Sequence, residues 1–571
     1  MADNTSIAAV PMRPASKVMR LEHMGSFHQT RISFARTLVR RMAREGWRIS
    51  QQQFDLDDNG YGTAVYRIST PIDAIHFVAF SNYLEPSDRT DRVIAEKWDV
   101  GFVLTSAEIN DDTLARLRAN VPKQEAGRCS IEDFILSRAN KSVRVFEYVV
   151  NALANGRQPD VHEIAKVGYL LRTTAVYGNG KFGLADFEQL RSRGIFKLPF
   201  QAELLTVYMA RHFSLDLVQH IAKRRNRHGA VALERSLCRG LGVGNATGLG
   251  MAPFLSTHPK LIHRWIRARE LALARVRAVE TASAEKLNRF NTLLQRAQSH
   301  VQQWRTDDER QSRRNRTTFE ELSTFIERHR ADGSTFIPED KPWDFVVDWA
   351  DRNTSLETAE LLNTILVELY PELVDELENE TGDDELTELV PQMPVRELKV
   401  LIEQSYDWAI GIDFGKSAAE HFFWYWSAEK LEPRLGVRNI EPGDDREMRI
   451  DVAREVYYLH QQLCQLDDNR LDQTVAKFLL ENPSWRRIIQ RIQSLVSYPY
   501  AEIRDNIIAE DCLPINLLRC KLSIFGATKF DPKSDRWTRI TLFQGAPLAD
   551  EFVTDNVDDW SFPIVRHEGI T

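Results

Sequence analysis

Residues 130–149 read SIEDFILSRANKSVRVFEYV, and their conformation decides whether the middle of the chain is helical or extended. Ser130-Ile131-Glu132-Asp133 has the spacing of a capping box, which opens a helix by satisfying its first backbone donors. The spacing predicts a helix running to Asn155. Its apolar face would carry Ile131, Phe134, Ile135, Val145, Phe146 and Val149, which recur at helical intervals. Arg138 falls inside that face.

The same pattern repeats downstream. Asp160 is placed to cap a second helix that ends at Gly178, with Val161, Ile164, Ala165, Gly168 and Ala175 on one face and Arg172 among them. A third predicted helix starts at Pro199 and runs towards Arg225, with Leu204, Val207, Leu215 and Val218 around Arg211, and Glu203 on the same side. An unpaired charge among apolar neighbours is costly, so each guanidinium needs a carboxylate, a carbonyl or an anionic ligand. Arginine suits a carboxylate or phosphate because its planar fork stays charged. Snorkelling or a structural ion pair is the plain alternative for any one of them.

Towards the N-terminus, residues 26–48 read as a basic helix ending at Gly46. Trp47–Phe54, Thr63–Ser69, Ile75–Phe80 and Val100–Thr105 read as strands, with Asp57-Asp58-Asn59-Gly60 as a turn between the first two. Towards the C-terminus, Thr257-His258-Pro259 opens a predicted helical stretch to about Trp304, and helix resumes from Pro394 to about Ser427 and from Asp444 to Leu466. The aromatic run His421–Trp426 lies in that stretch and is expected to be core. Lys521–Phe525 and Trp537–Phe543 read as a hairpin-like pair. The fold expected is therefore mainly α. It has a multi-helix bundle core, a small N-terminal α+β (antiparallel) unit and a largely helical C-terminal region ending in a short β segment. The expected parts are a tail over 1–19, a small α+β domain over 20–110, a helical domain with glycine-rich ligand loops over 111–330, and a mainly helical domain over 331–571.

Two glycine-rich segments follow the arginine-bearing stretches. Tyr177-Gly178-Asn179-Gly180-Lys181-Phe182-Gly183 offers backbone donors, the Asn179 amide and the Lys181 charge to an anion, although the spacing is not that of a Walker A loop. Gly240–Gly250 holds five glycines with Asn245 and Thr247 as its polar side chains. It contains no GxGxxG, which disfavours a dinucleotide site, and reads as a loop passing close to a ligand or to another backbone. His258 and His263 follow, and histidine titrates near neutrality, as general acid–base work requires.

Other constellations carry less. His212, Asp216 and His220 share one helix side at metal-ligand spacing, but no HExxH accompanies them and no metal is assigned. Lys223–His228 is a basic cluster without the interleaved aromatics of single-strand binders. The net charge of −8 argues against a chain devoted to coating nucleic acid. Five scattered cysteines without a CxxC argue against a disulfide framework and a cysteine zinc site, and no apolar run is long enough to span a membrane. These features suggest a soluble, cytoplasmic protein. The leading functional expectation is a metabolic enzyme acting on a small carboxylate or phosphate by acid–base chemistry. Arg138, Arg172, Arg211, Lys181, Asn179, Asn245 and Thr247 would bind the substrate, and His258 or His263 would move the proton. No cofactor is indicated. The alternatives are a non-enzymatic helical binding or scaffold protein and, less favoured, an RNA- or nucleotide-binding protein using residues 223–228.

Overall fold

The computed structural model describes residues 10–85, 87, 98–120, 132–173, 194–248, 259–331, 336–381, 389–414, 422–427, 432–437, 452–504, 517–534, 537–552, 557 and 559–560. The chain forms two compact units, each drawn from three separate stretches. Met1–His28, Gly248–Leu287 and Glu320–Lys521 make a helical unit, and Gln29–Thr247, Asn288–Phe319 and Leu522–Thr571 make a sheet unit. None of the described helices is long and apolar enough to cross a membrane.

Among the described residues, the sheet unit is built on nine strands. They are β1 (Arg48–Leu56), β2 (Gly62–Ser69), β3 (Ala74–Ser81), β4 (Val100–Thr105), β5 (Asp133–Lys141), β6 (Tyr169–Thr173), β7 (Gly242–Gly248), β10 (Lys529–Ser534) and β11 (Trp537–Leu542). Their order across the sheet is β1-β2-β3-β4-β5-β6-β7-β11-β10. Neighbours from β1 to β6 are antiparallel, and β6 and β7 run parallel. The remaining strands, β8 (Phe422–Ser427) and β9 (Glu432–Val437), pair with each other in the helical unit. The first turn forms where the sequence suggests. The Asp57 carboxylate accepts the N–H groups of Asn59 and Tyr61 at 2.8 and 2.9 Å, and Gly60 takes the positive φ of +80° that the reversal requires.

This sheet overturns the expected helical-bundle core with only a small sheet unit. The decisive stretch 130–149 is a strand followed by a short helix: Asp133–Lys141 is β5, and helix starts only at Phe146. The error has a physical cause. β5 is buried on both faces, so Phe134, Ile135 and Leu136 form a continuous apolar run, which matches helical spacing as well as it matches a covered strand. Asp160 does cap a helix, accepting from the N–H groups of His162 and Glu163, but that helix covers only Val161–Ala165. Gly168 then turns the chain at φ +81° into β6, whose five residues are all buried. Because β4 pairs with β5, the sheet runs across position 110, where a domain boundary is expected from the sequence.

The long helix predicted after Thr257 is two helices, Pro259–Arg277 and Ala284–Gln303. The aromatic run Phe422–Trp426 lies in β8 rather than in a helix. Lys521–Phe525 belongs to the helix Leu517–Phe525, so the C-terminal hairpin is β10 with β11. The helix predicted from Pro199 is present as Gln201–Arg225. It packs on one face of the sheet, where Phe213 meets the Phe102 ring edge-on at 6.0 Å. On the opposite face, Val65, Val78, Val103 and Leu136 pack with Leu117 of the helix Asp111–Asn120.

The helical unit is held by charge as well as by apolar packing. Arg13 donates to Glu270 at 2.7 and 2.8 Å and to Glu360 at 2.6 Å, and Arg269 donates to the same two carboxylates at 2.7 and 2.6 Å. All four side chains are buried, so two guanidiniums and two carboxylates close a neutral ring. Arg519 donates to Glu357 through Nη1 and Nη2 at 2.8 and 2.6 Å.

Candidate functional site

Strand register sorts the three arginines. Phe102 faces the Gln201–Arg225 helix and is the partner of Ser137 on β5, so Ser137 also faces the helix and Arg138 points to the opposite face. The Arg138 guanidinium lies over the Trp98 ring at 4.9 Å. Asn140 shares the face of Arg138 and is the register partner of Arg172 on β6. Arg138 and Arg172 are thus diagonal neighbours on one side of the sheet, a placement that separates residues by roughly 7–8 Å. Arg172 is buried and Arg138 is half-buried.

Arg211 lies elsewhere. It projects from the long helix on the other face and is surrounded by main-chain oxygens. Its Nε donates to Leu241 O at 2.6 Å, its Nη1 to Pro547 O at 3.3 Å, and its Nη2 to Cys238 O, Arg239 O and Ala546 O at 3.1, 3.3 and 2.8 Å. Burial lowers its pKa. The guanidinium ties two distant turns to the helix, the carbonyl solution among those open to a buried arginine.

The glycine-rich segment is not a loop in its described part. Residues Arg235–Gly240 are helical and Gly242–Gly248 form β7. Its glycines answer to close packing. A Cβ on Gly242 would sit 2.3 Å from Leu542 O, and one on Gly244 would sit 2.2 Å from the Tyr169 ring. Gly244 is also the register partner of Arg172 across the parallel β6–β7 pair, so Asn245 follows directly on Arg172's neighbour. The Asn245 side chain is buried, and its Nδ2 has no hydrogen-bond acceptor among the described residues. Thr247 lies in the same strand.

Asp99, from a charged stretch that the sequence leaves open to line a cleft or face solvent, and Lys141 join this end of the sheet. Asp99, fully buried, accepts the Lys141 N–H at 2.9 Å and donates its own N–H to Asn140 Oδ1 at 3.2 Å. Asp99 and Lys141 are 42 positions apart, and only strand pairing brings them together, so no local pattern could have signalled them.

The proposed histidines separate from this group. His263 belongs to the helical unit, where its Nδ1 accepts the Tyr500 N–H at 3.1 Å between the rings of Tyr498 and Tyr500. Burial, with Arg267 and Arg264 nearby, pushes its pKa down to about 4. Asn179, Lys181 and His258 lie outside the described residues. The basic cluster ends the long helix, where Arg225 donates to Glu147 at 3.0 Å and Arg224 stands 3.5 Å from Asp58. Among the described residues, no group of three or more His, Cys, Asp or Glu side chains is placed to hold a metal ion.

No protein-family model, curated protein or solved structure matches this chain.

Proposed function

We propose that the sheet unit binds a small anion, a carboxylate or phosphate compound, on the face that carries Arg138 and Arg172, as the binding half of a metabolic enzyme. The observation that carries this reading is the diagonal placement of the two guanidiniums on neighbouring strands. Each guanidinium offers a planar fork of donors that suits a carboxylate or phosphate, and the two on neighbouring strands flank one such ligand. Asn245 follows Gly244, the register partner of Arg172, so its side chain points to the other face of the sheet and leaves this reading. Asn179, Lys181 and Thr247 stay in this reading on sequence grounds. Arg211 leaves it, because its donors are taken by carbonyls.

The test is calorimetric titration of the full chain with inorganic phosphate and with citrate. Loss of one charge-assisted hydrogen bond is worth about 1.5–3 kcal/mol, so Arg172→Gln should weaken binding by about 10- to 100-fold. Arg138→Gln should weaken it as well, and Arg211→Lys should leave the affinity unchanged. Equal affinity in wild type and Arg172→Gln would overturn the reading. One observation favours the scaffold alternative: Arg13, Arg211, Arg269 and Arg519 are all engaged by carboxylates or carbonyls. Under that alternative neither anion binds.

A further inference from the structure

On the other face of the same sheet, beneath β2, the long helix presents His212 and Asp216 one turn apart. The Tyr66 hydroxyl donates to Asp216 Oδ2 at 2.7 Å, and His212 Nε2 stands 3.7 Å from that same oxygen. The Tyr66 and His212 rings meet edge-on with centroids 5.3 Å apart. Tyr66 is fully buried, whereas His212 is 26% and Asp216 31% exposed. One carboxylate oxygen is therefore shared between a buried phenol and an imidazole that reaches solvent. His220, the third residue of the HxxxDxxxH spacing, does not join them. Its Nε2 lies 2.9 Å from Asp57 O and its ring packs on Phe54. Tyr66 takes the place that a metal-site reading would give to His220.

We propose that His212, Asp216 and Tyr66 form a proton-transfer centre that activates water against an uncharged acyl substrate, separate from the anion face. His212 is the base. With its Nε2–H directed at Asp216, the Nδ1 lone pair takes a proton from water. The water oxygen then forms a bond to the acyl carbon, the bond from that carbon to the leaving oxygen breaks, and the imidazolium returns its proton to the departing alkoxide. Asp216 is a positioning residue that orients the ring and stabilises its charged form, and Tyr66 holds Asp216 in place. A separation of 3.7 Å is looser than a formed hydrogen bond, as acid–base pairs often are without substrate.

The surrounding charges select the substrate class. The groups acting on His212 are Asp216 and Arg211 from its own helix and Asp550 from the segment Ala549–Glu551, with the Tyr66 phenol from β2. Burial holds the imidazole below its ordinary pKa, Arg211 adds to that, and the two carboxylates oppose it, so the ring is neutral at pH 7 and able to accept a proton. Arg235 neutralises Asp550 through both carboxylate oxygens at 2.9 Å. The Arg211 guanidinium is buried against main-chain carbonyls, so the charge an incoming substrate meets at the ring is the partly exposed Asp216 carboxylate, which repels an anion.

The test uses the full chain and two activated esters, 4-nitrophenyl acetate and a 4-nitrophenyl ester carrying a free carboxylate, with circular dichroism to confirm that each variant is folded. Wild type should hydrolyse the neutral ester faster than the anionic one. His212→Gln should lower the rate on the neutral ester at least tenfold. Asp216→Asn should lower the midpoint of the pH–rate profile, because the carboxylate that favours imidazolium is gone. Tyr66→Phe should raise that midpoint, because Asp216 then loses a competing donor. The opposed shifts distinguish a proton-transfer centre from a structural cluster. A folded His212→Gln variant within twofold of wild type would overturn the proposal. So would midpoints that stay put in a folded Tyr66→Phe variant, which is testable even if Asp216→Asn does not fold.

Discussion

The Nε–H of Arg211 donates to the carbonyl oxygen of Leu241 at 2.6 Å, and Pro547, Cys238, Arg239 and Ala546 supply four further carbonyls to the same guanidinium. Arg211→Met keeps the bulk but removes every donor, leaving carbonyls without partners in a dry site. The expected loss is about 3–5 kcal/mol of unfolding free energy. Urea denaturation measures it, and a loss below about 1 kcal/mol would show that the turn carbonyls find other donors.

Glu360 joins Arg13 and Arg269 inside the helical unit, and the two guanidiniums hold its carboxyl well below the usual carboxylate range. Glu360→Ala leaves the two guanidiniums sharing the Glu270 carboxylate. Breaking one side of a buried ion pair costs about 3–5 kcal/mol, so the variant should be strongly destabilised. Chemical denaturation of Glu360→Ala beside wild type checks this. Unchanged stability would mean that the ring contributes little.

Gly242 is tightly constrained by packing. An alanine there would drive its Cβ to 2.3 Å from Leu542 O, a backbone atom that cannot rotate away. Gly242→Ala should therefore lower stability by about 1–3 kcal/mol, the usual cost of overpacking. Thermal unfolding reads the change, and a melting temperature equal to wild type would contradict the close approach of β7 to the end of β11.

Acid should weaken the helical unit in two stages. His263 titrates near 4 when folded and at 6.5 when unfolded. The unfolded chain therefore binds the extra proton, and the contribution of His263, complete above pH 6.5, is lost as pH falls towards 4. Arg519 and His28 hold Glu357 down to about 2 against an ordinary 4.5, so its contribution is lost between pH 4.5 and 2. His263→Phe should flatten the upper stage. It should also cost about 1–3 kcal/mol at pH 7, because the Tyr500 N–H loses its acceptor. Urea midpoints measured from pH 8 to pH 4 for both proteins test this, and parallel curves would remove His263 from the acid response.

Local chemistry alone determined a definite part of this protein. The β1–β2 hairpin follows from its Asx turn, with a glycine at positive φ between two extended runs. The Gln201–Arg225 helix is a run without glycine or proline that begins just beyond Pro199, and the short helix after Asp160 follows from its cap. These features depend on residues a few positions apart, so they are legible in one dimension. Tertiary structure decided the rest. β5 and β6 are strands because other layers cover both of their faces, and full coverage erases the alternation that marks an exposed-face strand. The same pairing placed Arg138 and Arg172 together and carried Arg211 to the opposite face, although the sequence presents all three alike. Tyr66 and Asp216 meet across 150 positions. Buried polar groups need partners, and which partner each one finds is set by chain segments too far apart in sequence for any local pattern to connect.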